Sequence, residues 1–140
     1  MQGIQIAYRL RTLFEQKVTA EYYNSFKGSF GRVQVEVLSC LYARERIRVQ
    51  ELADALNVPK QHASKILSRL EAQALVTKVS DPQDGRSMIY SLRQEGRVLM
   101  EEHLAVSDRC FSRRMARLNP DEQKKMLQAM QTVAELLEKM

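Results

Sequence analysis

The segment from residue 32 to residue 92 constrains the fold most, because its apolar residues change period within a short distance. Two short amphipathic helices are predicted on either side of the tripeptide Asn57-Val58-Pro59. Asparagine tolerates the left-handed backbone that ends a helix, and proline suits the first position of the next helix. Two β-rich runs, 75–79 and 87–92, then flank a polar stretch at 81–86, which predicts a hairpin. Helix, turn, helix and hairpin in this order predict a winged helix-turn-helix.

The remaining elements of this segment are short. A helix is predicted over 33–42, a brief strand over 46–49, a helix over 50–56 and a further helix over 59–73. The helix over 50–56 is expected to turn Leu52, Ala53 and Leu56 inward.

Both ends of the chain carry long apolar stripes at helical spacing. The first consists of Ile4, Ala7, Leu10, Phe14, Val18, Tyr22 and Phe26, and a loop is expected over 24–31. A long helix from Gln94 carries Met100, Leu104, Ser107, Phe111, Met115 and Leu118, and the last helix, after an Asn119-Pro120 cap, carries Leu127, Met130, Ala134 and Leu137. A core of about 60 residues cannot cover these stripes, so a homodimer is predicted. The fold class is mainly α (α+β), with a dimerisation helix and loop at 1–31 and dimerisation helices at 93–140 around a winged helix-turn-helix domain at 32–92.

The helix that follows Asn57-Val58-Pro59 has two different faces. Its predicted core arc holds Ala63, Ile66, Leu67, Leu70 and Ala74. The opposite arc holds Lys60, Gln61, Ser64, Lys65, Ser68 and Arg69, with His62 at its margin, and contains no acid. An ordinary solvated helix face mixes Glu with Lys, whereas Gln can read adenine and Lys or Arg can bind guanine or phosphate. This face therefore predicts binding to double-stranded DNA.

The hairpin tip, Asp84-Gly85-Arg86-Ser87, places one cation at the end of a narrow ribbon that can reach a minor groove. Asp84 is expected to orient Arg86 by a charge-assisted hydrogen bond. The alternative is that Asp84 and Gly85 only make the turn while Arg86 is solvated. Three further cations, Arg46, Arg48 and Lys78, are expected to contact phosphates.

Composition agrees with an anionic partner and gives little support to an enzyme. The chain has a formal net charge of +5 over 140 residues. The cysteines, Cys40 and Cys110, are expected to be buried structural thiols, and His62 and His103 lack a metal-ligand spacing. No GxSxG, Walker or HExxH motif occurs, so neither a cofactor nor an enzymatic activity is expected. With no leader or membrane segment readable, a cytoplasmic protein is predicted.

Four stretches resemble the multiple antibiotic resistance regulator (MarR) family of winged-helix transcription factors. They are QELADALNV at 50–58, KILSRLE at 65–71, Leu75-Val76 and DPQDGRS at 81–87. The resemblance implies a triangular homodimer whose recognition helices enter successive major grooves of a pseudopalindromic operator, with Arg86 in a flanking minor groove. It also implies, in many members, a small phenolic or other ligand that releases DNA. A repressor is the expected role.

Three positions depart from the family pattern. Arg48 and Arg93 stand where Thr or Ser commonly caps a helix, and Ala74 replaces a glycine at the end of the recognition helix. Each lost cap is expected to cost about 1 kcal/mol unless another group substitutes. The corner at Ala74 is expected to turn differently.

Two alternatives remain open at this point. Aromatic residues concentrate early in the chain, and they fit a core or dimer interface better than an effector pocket; they are Tyr8, Phe14, Tyr22, Tyr23, Phe26 and Phe30. A winged helix that serves only as a protein-interaction scaffold is the alternative function, since fold alone does not determine function.

Overall fold

The computed structural model describes residues 2–24 and 30–140, and its elements follow the predicted order. The helices are α1 (Gly3–Phe14), α2 (Ala20–Asn24), α3 (Arg32–Arg44), α4 (Val49–Leu56), α5 (Lys60–Ala72), α6 (Gln94–Met115) and α7 (Pro120–Glu138), with a π-helical turn at Glu15–Thr19. The strands are β1 (Ile47–Arg48), β2 (Val76–Ser80) and β3 (Met88–Leu92). This confirms a mainly helical winged helix-turn-helix.

The chain divides into two compact units. One consists of Tyr22–Ala105, and the other of Met1–Glu21 with Val106–Met140. The first unit contains α3 to α5 and all three strands. The second contains α1 and α7.

The three strands form an antiparallel sheet in the order β1-β3-β2. Ile47 of β1 lies opposite Tyr90, and Arg48 lies opposite Ile89. The β2–β3 hairpin runs from Val76↔Leu92 to Ser80↔Met88. The hairpin, called the wing below together with its tip at residues 81–87, is thus anchored by β1 directly before α4.

The core of the Tyr22–Ala105 unit is aliphatic. Fully buried side chains come from α3, α4, α5, β1 and β2, and include Leu38, Leu41, Ile47, Leu52, Leu67, Leu70 and Val76. On α5 the buried residues are Ala63, Ile66, Leu67 and Leu70, as the helical spacing predicts. Burying each large side chain contributes roughly 1.5–3 kcal/mol, which fixes the orientation of α5.

Two left-handed residues end the helices on either side of the turn. Asn57 has φ 53° after α4, and the N–H of Val58 donates to the carbonyl of Ala53 at 3.0 Å. Ala74 has φ 60° after α5, with the N–H of Leu75 donating back five residues to Leu70 at 3.0 Å. Both are Schellman-type ends, which glycine or asparagine usually makes.

Three predictions about these corners need correction. Ala74 is exposed and lies beyond the end of α5, so it does not belong to the core face. The corner was predicted to turn differently from one made by glycine, but Ala74 itself adopts the left-handed conformation that glycine would adopt there. Pro59 is the residue before the first turn of α5, with φ −60° and ψ 145°, and not its first helical residue.

The terminal helices keep much of their apolar surface exposed. Ile4, Ile6, Tyr8, Leu10 and Leu13 of α1 are exposed, as are Leu127, Val133, Leu136 and Leu137 of α7. The start of α7 is capped as predicted, since Asn119 Oδ1 accepts from the N–H of Glu122 at 2.8 Å and Glu122 Oε1 accepts from the N–H of Asn119 at 3.0 Å. The π-helical turn at Glu15–Thr19 interrupts the regular stripe that the sequence predicts. Phe26 and most of the predicted loop lie outside the described residues.

No helix among residues 2–24 and 30–140 combines the length and the apolar character needed to cross a membrane.

Candidate nucleic-acid interface

Helix α5 presents the predicted polar face to solvent. Lys60, Gln61, His62, Lys65, Ser68 and Arg69 are all exposed, and Ser64 is half-buried. The buried face lies opposite, anchored by Leu67 and Leu70, which are fully buried. The polar side chains are therefore held on a rigid helix and point away from the core.

The cations on this face of α5 are not paired with acids in the described part of the chain. Within the described part of the chain, none of these exposed α5 side chains takes part in an ion pair or side-chain hydrogen bond. The first acid of α5 is Glu71, near its end, and that carboxylate lies 3.7 Å from Lys78 Nζ on the wing. Three cations and several polar groups thus remain available to an anionic partner.

The wing tip is a tight turn organised by Asp84. Its Oδ1 accepts from the backbone N–H of Arg86 at 3.1 Å, and its carbonyl accepts from the N–H of Ser87 at 2.9 Å. The aspartate therefore contacts the backbone of Arg86, whereas the sequence suggested its guanidinium. Arg86 is exposed at the tip, and Ser87 is half-buried. A cation at the end of a two-stranded ribbon has the shape needed to enter a narrow groove.

Arg48 lies at the base of the wing and is engaged within the protein. Its Nη2 and Nε lie 2.6 and 2.9 Å from Asp81 Oδ2, and Nη1 lies 3.4 Å from Glu51 Oε1. Asp81 is 4% exposed. A backbone hydrogen bond from Gln83 and the ion pair with Arg48 hold the pKa of the Asp81 carboxyl below its usual value. The structure thus gives Arg48 an intramolecular partner that the phosphate prediction did not include.

The missing cap at Arg48 is compensated in part. Glu51 Oε1 accepts from the backbone N–H of Arg48 at 3.0 Å, while the Arg48 side chain makes no cap. At the corresponding position before α6, the N–H of Arg93 donates to the carbonyl of Leu75 at 2.9 Å. These bonds satisfy the backbone N–H groups of Arg48 and Arg93 themselves, whereas a Ser or Thr hydroxyl would accept from an N–H group inside the first turn of the helix.

The structure brings most of the predicted site residues into two groups. Lys60, Gln61, His62, Ser64, Lys65, Ser68 and Arg69 share one face of α5, while Asp84, Arg86 and Ser87 share the wing tip. Lys78 on the wing pairs with Glu71 of α5, and Arg48 pairs with Asp81 of the wing tip. Arg46 is exposed before β1. The sequence analysis did not anticipate the contact between Asp81 and Arg48, although Asp81 belongs to the DPQDGRS stretch.

The two cysteines lie in different surroundings and are less buried than the sequence predicts. Cys40 and Cys110 are free and half-buried. Burial raises the pKa of the Cys40 thiol, which opposes formation of the reactive thiolate. Arg113 Nη2 lies 3.3 Å from Cys110 Sγ. In the described residues no three His, Cys, Asp or Glu side chains cluster as metal ligands.

A polar aromatic cluster lies where α2, α3 and α6 meet. The Tyr22 hydroxyl forms a short hydrogen bond with Ser39, and the Tyr22 ring packs edge-on against His103 at 4.2 Å between centroids. The Tyr23 hydroxyl donates to Glu36 Oε1 at 2.9 Å, and Arg32 lies over the Tyr23 ring. Tyr22, Tyr23 and Phe30 pack against the core, whereas Tyr8 is exposed.

Comparison with known proteins agrees with this architecture. The MarR family model matches residues 31–88. The chain is 31% identical over 137 residues to the HTH-type transcriptional repressor MdtR of Bacillus subtilis (strain 168), covering 97% of this chain and 84% of MdtR.

Solved structures share the fold at lower sequence identity. RV1404 from Mycobacterium tuberculosis superposes with a TM-score of 0.85 at 18% identity, over 97% of this chain and 95% of that one. BpsR from Bordetella bronchiseptica, whose DNA binding is regulated by 6-hydroxynicotinic acid, gives a TM-score of 0.67 at 20% identity, over 92% of each chain. Together with the family match and the MdtR identity, these findings show that the chain belongs to the MarR family of DNA-binding winged-helix transcriptional regulators, which are not enzymes.

Proposed function

We propose that this chain is a cytoplasmic repressor that binds a pseudopalindromic DNA operator as a homodimer, with residues 32–92 as its DNA-binding domain. The observation that carries the proposal is the exposed, acid-free face of α5. Its cations and amide have no partner among the described residues, while the buried face fixes the direction in which they project. The relative MdtR is a transcriptional repressor, which supports the same role here.

Each group of side chains has a separate task in this proposal. Gln61 reads a base edge in the major groove, and Lys65 and Arg69 bind guanine or phosphate. Lys60, His62, Ser64 and Ser68 add polar contacts along the same groove. Arg86 enters the minor groove beside it, while Asp84 and Ser87 hold the tip in shape.

A second copy of the chain covers the exposed terminal helices. Side chains such as Leu10 on α1 and Leu137 on α7 are about half exposed or more in the single chain, at 48% and 61%. Isologous packing of two copies removes this surface from water and presents two α5 helices with two-fold symmetry. A two-fold protein matches a palindromic operator.

The test of this function is selection of bound sequences from random duplexes, followed by titration of the selected operator. Lys65→Ala is expected to weaken binding and to lower the salt slope by about one. Gln61→Ala is expected to relax base preference at one position. Lys124→Ala, which removes an exposed cation on α7 outside residues 32–92, is the matched control and should leave operator binding nearly unchanged.

The outcomes separate this proposal from a scaffold. A scaffold that binds only proteins would show no salt-resistant preference for any duplex over random DNA. Equal loss of operator and random binding in Gln61→Ala would remove the base-reading role from that residue while leaving Lys65 and Arg69 as backbone contacts.

Release of DNA by a small effector stays a prediction. The regulation of BpsR by 6-hydroxynicotinic acid supports it. Titration calorimetry with small aromatic acids, in the presence and absence of operator, measures the coupling. Equal operator affinity with and without every bound acid would contradict it.

A further inference from the structure

The wing is tied to the start of α4 by a buried carboxylate. Asp81 begins the wing tip, and its Oδ2 accepts two hydrogen bonds from the Arg48 guanidinium, at 2.6 and 2.9 Å. The two residues are 33 positions apart, so the pair closes a long-range contact. Only the carboxylate is buried, since the Arg48 side chain remains 44% exposed.

From Asp81 a chain of hydrogen bonds leads to the tip. Its other oxygen, Oδ1, accepts from the N–H of Gln83 at 2.9 Å, and its own N–H donates to the carbonyl of Ser87 at 3.0 Å. The N–H of Ser87 in turn donates to the carbonyl of Asp84, whose carboxylate accepts from the N–H of Arg86. The position of Asp81 therefore sets the backbone that carries Arg86.

Arg48 is itself fixed from two sides. Its backbone pairs with Ile89 in the sheet, and its N–H donates to Glu51 in the first turn of α4. Since Glu51 also lies 3.4 Å from the Arg48 guanidinium, the side chain is aimed by α4 toward Asp81.

We propose that Arg48 is a positioning residue for DNA binding: through Asp81 it holds the wing tip, and hence Arg86, at a fixed place relative to the helix-turn-helix. This inference rests on the proposed DNA-binding function and replaces the phosphate contact that the sequence predicted for Arg48. The guanidinium acts on DNA through the wing, because its charge is already engaged by two carboxylates.

Phosphate binding by Arg48 and wing positioning by Arg48 predict opposite changes in DNA affinity for Asp81→Asn. If Arg48 bound phosphate, Asp81→Asn would remove a negative charge and free Arg48, so DNA affinity would rise. If Arg48 positions the wing, Asp81→Asn loosens the tip and operator affinity falls by about fivefold to thirtyfold. Asp54→Asn is the matched control, since Asp54 is an exposed acid on α4 whose partner is Gln50. It should leave affinity unchanged or slightly higher.

A mutant cycle measures whether Arg48 acts through the wing. Arg48→Gln should weaken operator binding in the unchanged chain and have little further effect in an Asp81→Asn or Arg86→Ala background. Arg48→Lys keeps the charge but loses the two-pronged contact, so its operator affinity should fall between that of the unchanged chain and that of Arg48→Gln. Additive losses in all backgrounds, or tighter binding by Asp81→Asn, would overturn the proposal.

A measurement without DNA separates this inference from the proposed function. Amide hydrogen exchange of Gln83 and Ser87 should accelerate in Arg48→Gln and in Asp81→Asn but not in Asp54→Asn, with circular dichroism showing that each variant folds. Unchanged exchange at the tip would refute the positioning role even where operator binding is intact. If the tip loosens in these variants but the unchanged chain binds no duplex selectively, the positioning of the wing tip by Arg48 and Asp81 is supported. The DNA-binding function is then refuted.

Discussion

The carbonyl oxygen of Leu75 lies 2.3 Å from the point that a Cβ atom would occupy on Gly96. The same carbonyl accepts the N–H of Arg93, so Leu75, the residue before β2, is in direct backbone contact with the segment that begins α6. Real Cβ atoms do not approach a backbone oxygen so closely, and neither segment can yield without moving the wing or α6. Residue 96 must therefore be glycine, because the Leu75 carbonyl occupies the space that a side chain would need.

Gly96→Ala is expected to destabilise the fold by about 2–3 kcal/mol, since the added methyl must displace backbone atoms. Helix propensity alone would predict a gain of about 1 kcal/mol, so the sign of the change is diagnostic. Chemical denaturation measures it. Gly3→Ala, where nothing lies within 4 Å of the new Cβ, is the control and should cause no comparable loss. A Gly96→Ala protein as stable as the parent would contradict the close contact.

The sequence predicted most of the helix-turn-helix because its determinants are local. The spacing of Ala63, Ile66, Leu67 and Leu70 identifies the buried face of α5, and every one of these residues is buried. The Asn57 corner and the Asn119 cap follow from the intrinsic preferences of asparagine. For the same reason the exposed side of α5 could be read directly from the helical wheel.

The remaining features depend on residues distant in sequence. The partner of Arg48 is 33 positions away, and no local pattern indicates that its charge is already engaged by Asp81. The prediction for the corner at Ala74 was wrong because the packing of Leu75 and its hydrogen bond to Leu70 outweigh the cost of a left-handed alanine. The π-helical turn at Glu15–Thr19 likewise has no sequence signature that propensity could detect.

Ala74→Gly is expected to stabilise the protein. Ala74 has φ 60°, a conformation that is strained for a residue with a Cβ atom. Glycine removes this strain, and the relief exceeds the free energy that is lost because glycine makes the unfolded chain more flexible. The net gain should be about 0.5–1 kcal/mol in denaturant titrations. Ala105→Gly, the same change at an exposed position in the interior of α6, should instead destabilise by about 1 kcal/mol. Equal effects of the two changes would argue against the strained corner.

The stability of the fold should fall as the pH is lowered from about 7.5 to 5.5. His103 is 4% exposed, and burial lowers the pKa of its imidazole, so the unfolded chain binds the proton more readily. The loss develops as the pH falls through the unfolded pKa of about 6.5 and continues until the folded group also titrates. Carboxylates with lowered pKa values, such as those of Asp81 and Glu21, act only at lower pH.

Thermal denaturation as a function of pH measures this dependence. His103→Phe keeps a ring beside Tyr22 but removes the titrating group, and it should flatten the profile in this window. His62→Gln, which removes the exposed histidine of α5, is the matched control variant. A sloping profile that survives in His103→Phe would assign the pH dependence to another group.

Arg86→Ala is expected to lower operator affinity by about tenfold or more at sites with A·T-rich flanks, and by much less where the flanks are G·C-rich. Arg86 is exposed at the wing tip, and a narrow A·T minor groove attracts an inserted guanidinium. Titrations of paired duplexes that differ only in the flanks measure the difference. Arg93→Ala, an exposed arginine paired with Glu95 before α6, is the control. Equal losses on both flank types would place Arg86 on phosphates instead.

Leu10→Glu is expected to shift the dimer toward monomer, because the leucine is exposed in the single chain and the proposed partner copy buries it. Placing an unpaired carboxylate in an apolar interface should weaken association by about 2 kcal/mol or more, which is roughly a thirtyfold change in the dissociation constant. Sedimentation over a range of concentrations measures the constant. Val79→Glu puts the same charge at an exposed apolar residue of the wing and should leave the dimer intact. If Leu10→Glu sediments like the parent at every concentration, the α1 surface around Leu10 is not the dimer interface, and the apolar face of α7 is the remaining candidate for burial between the two copies.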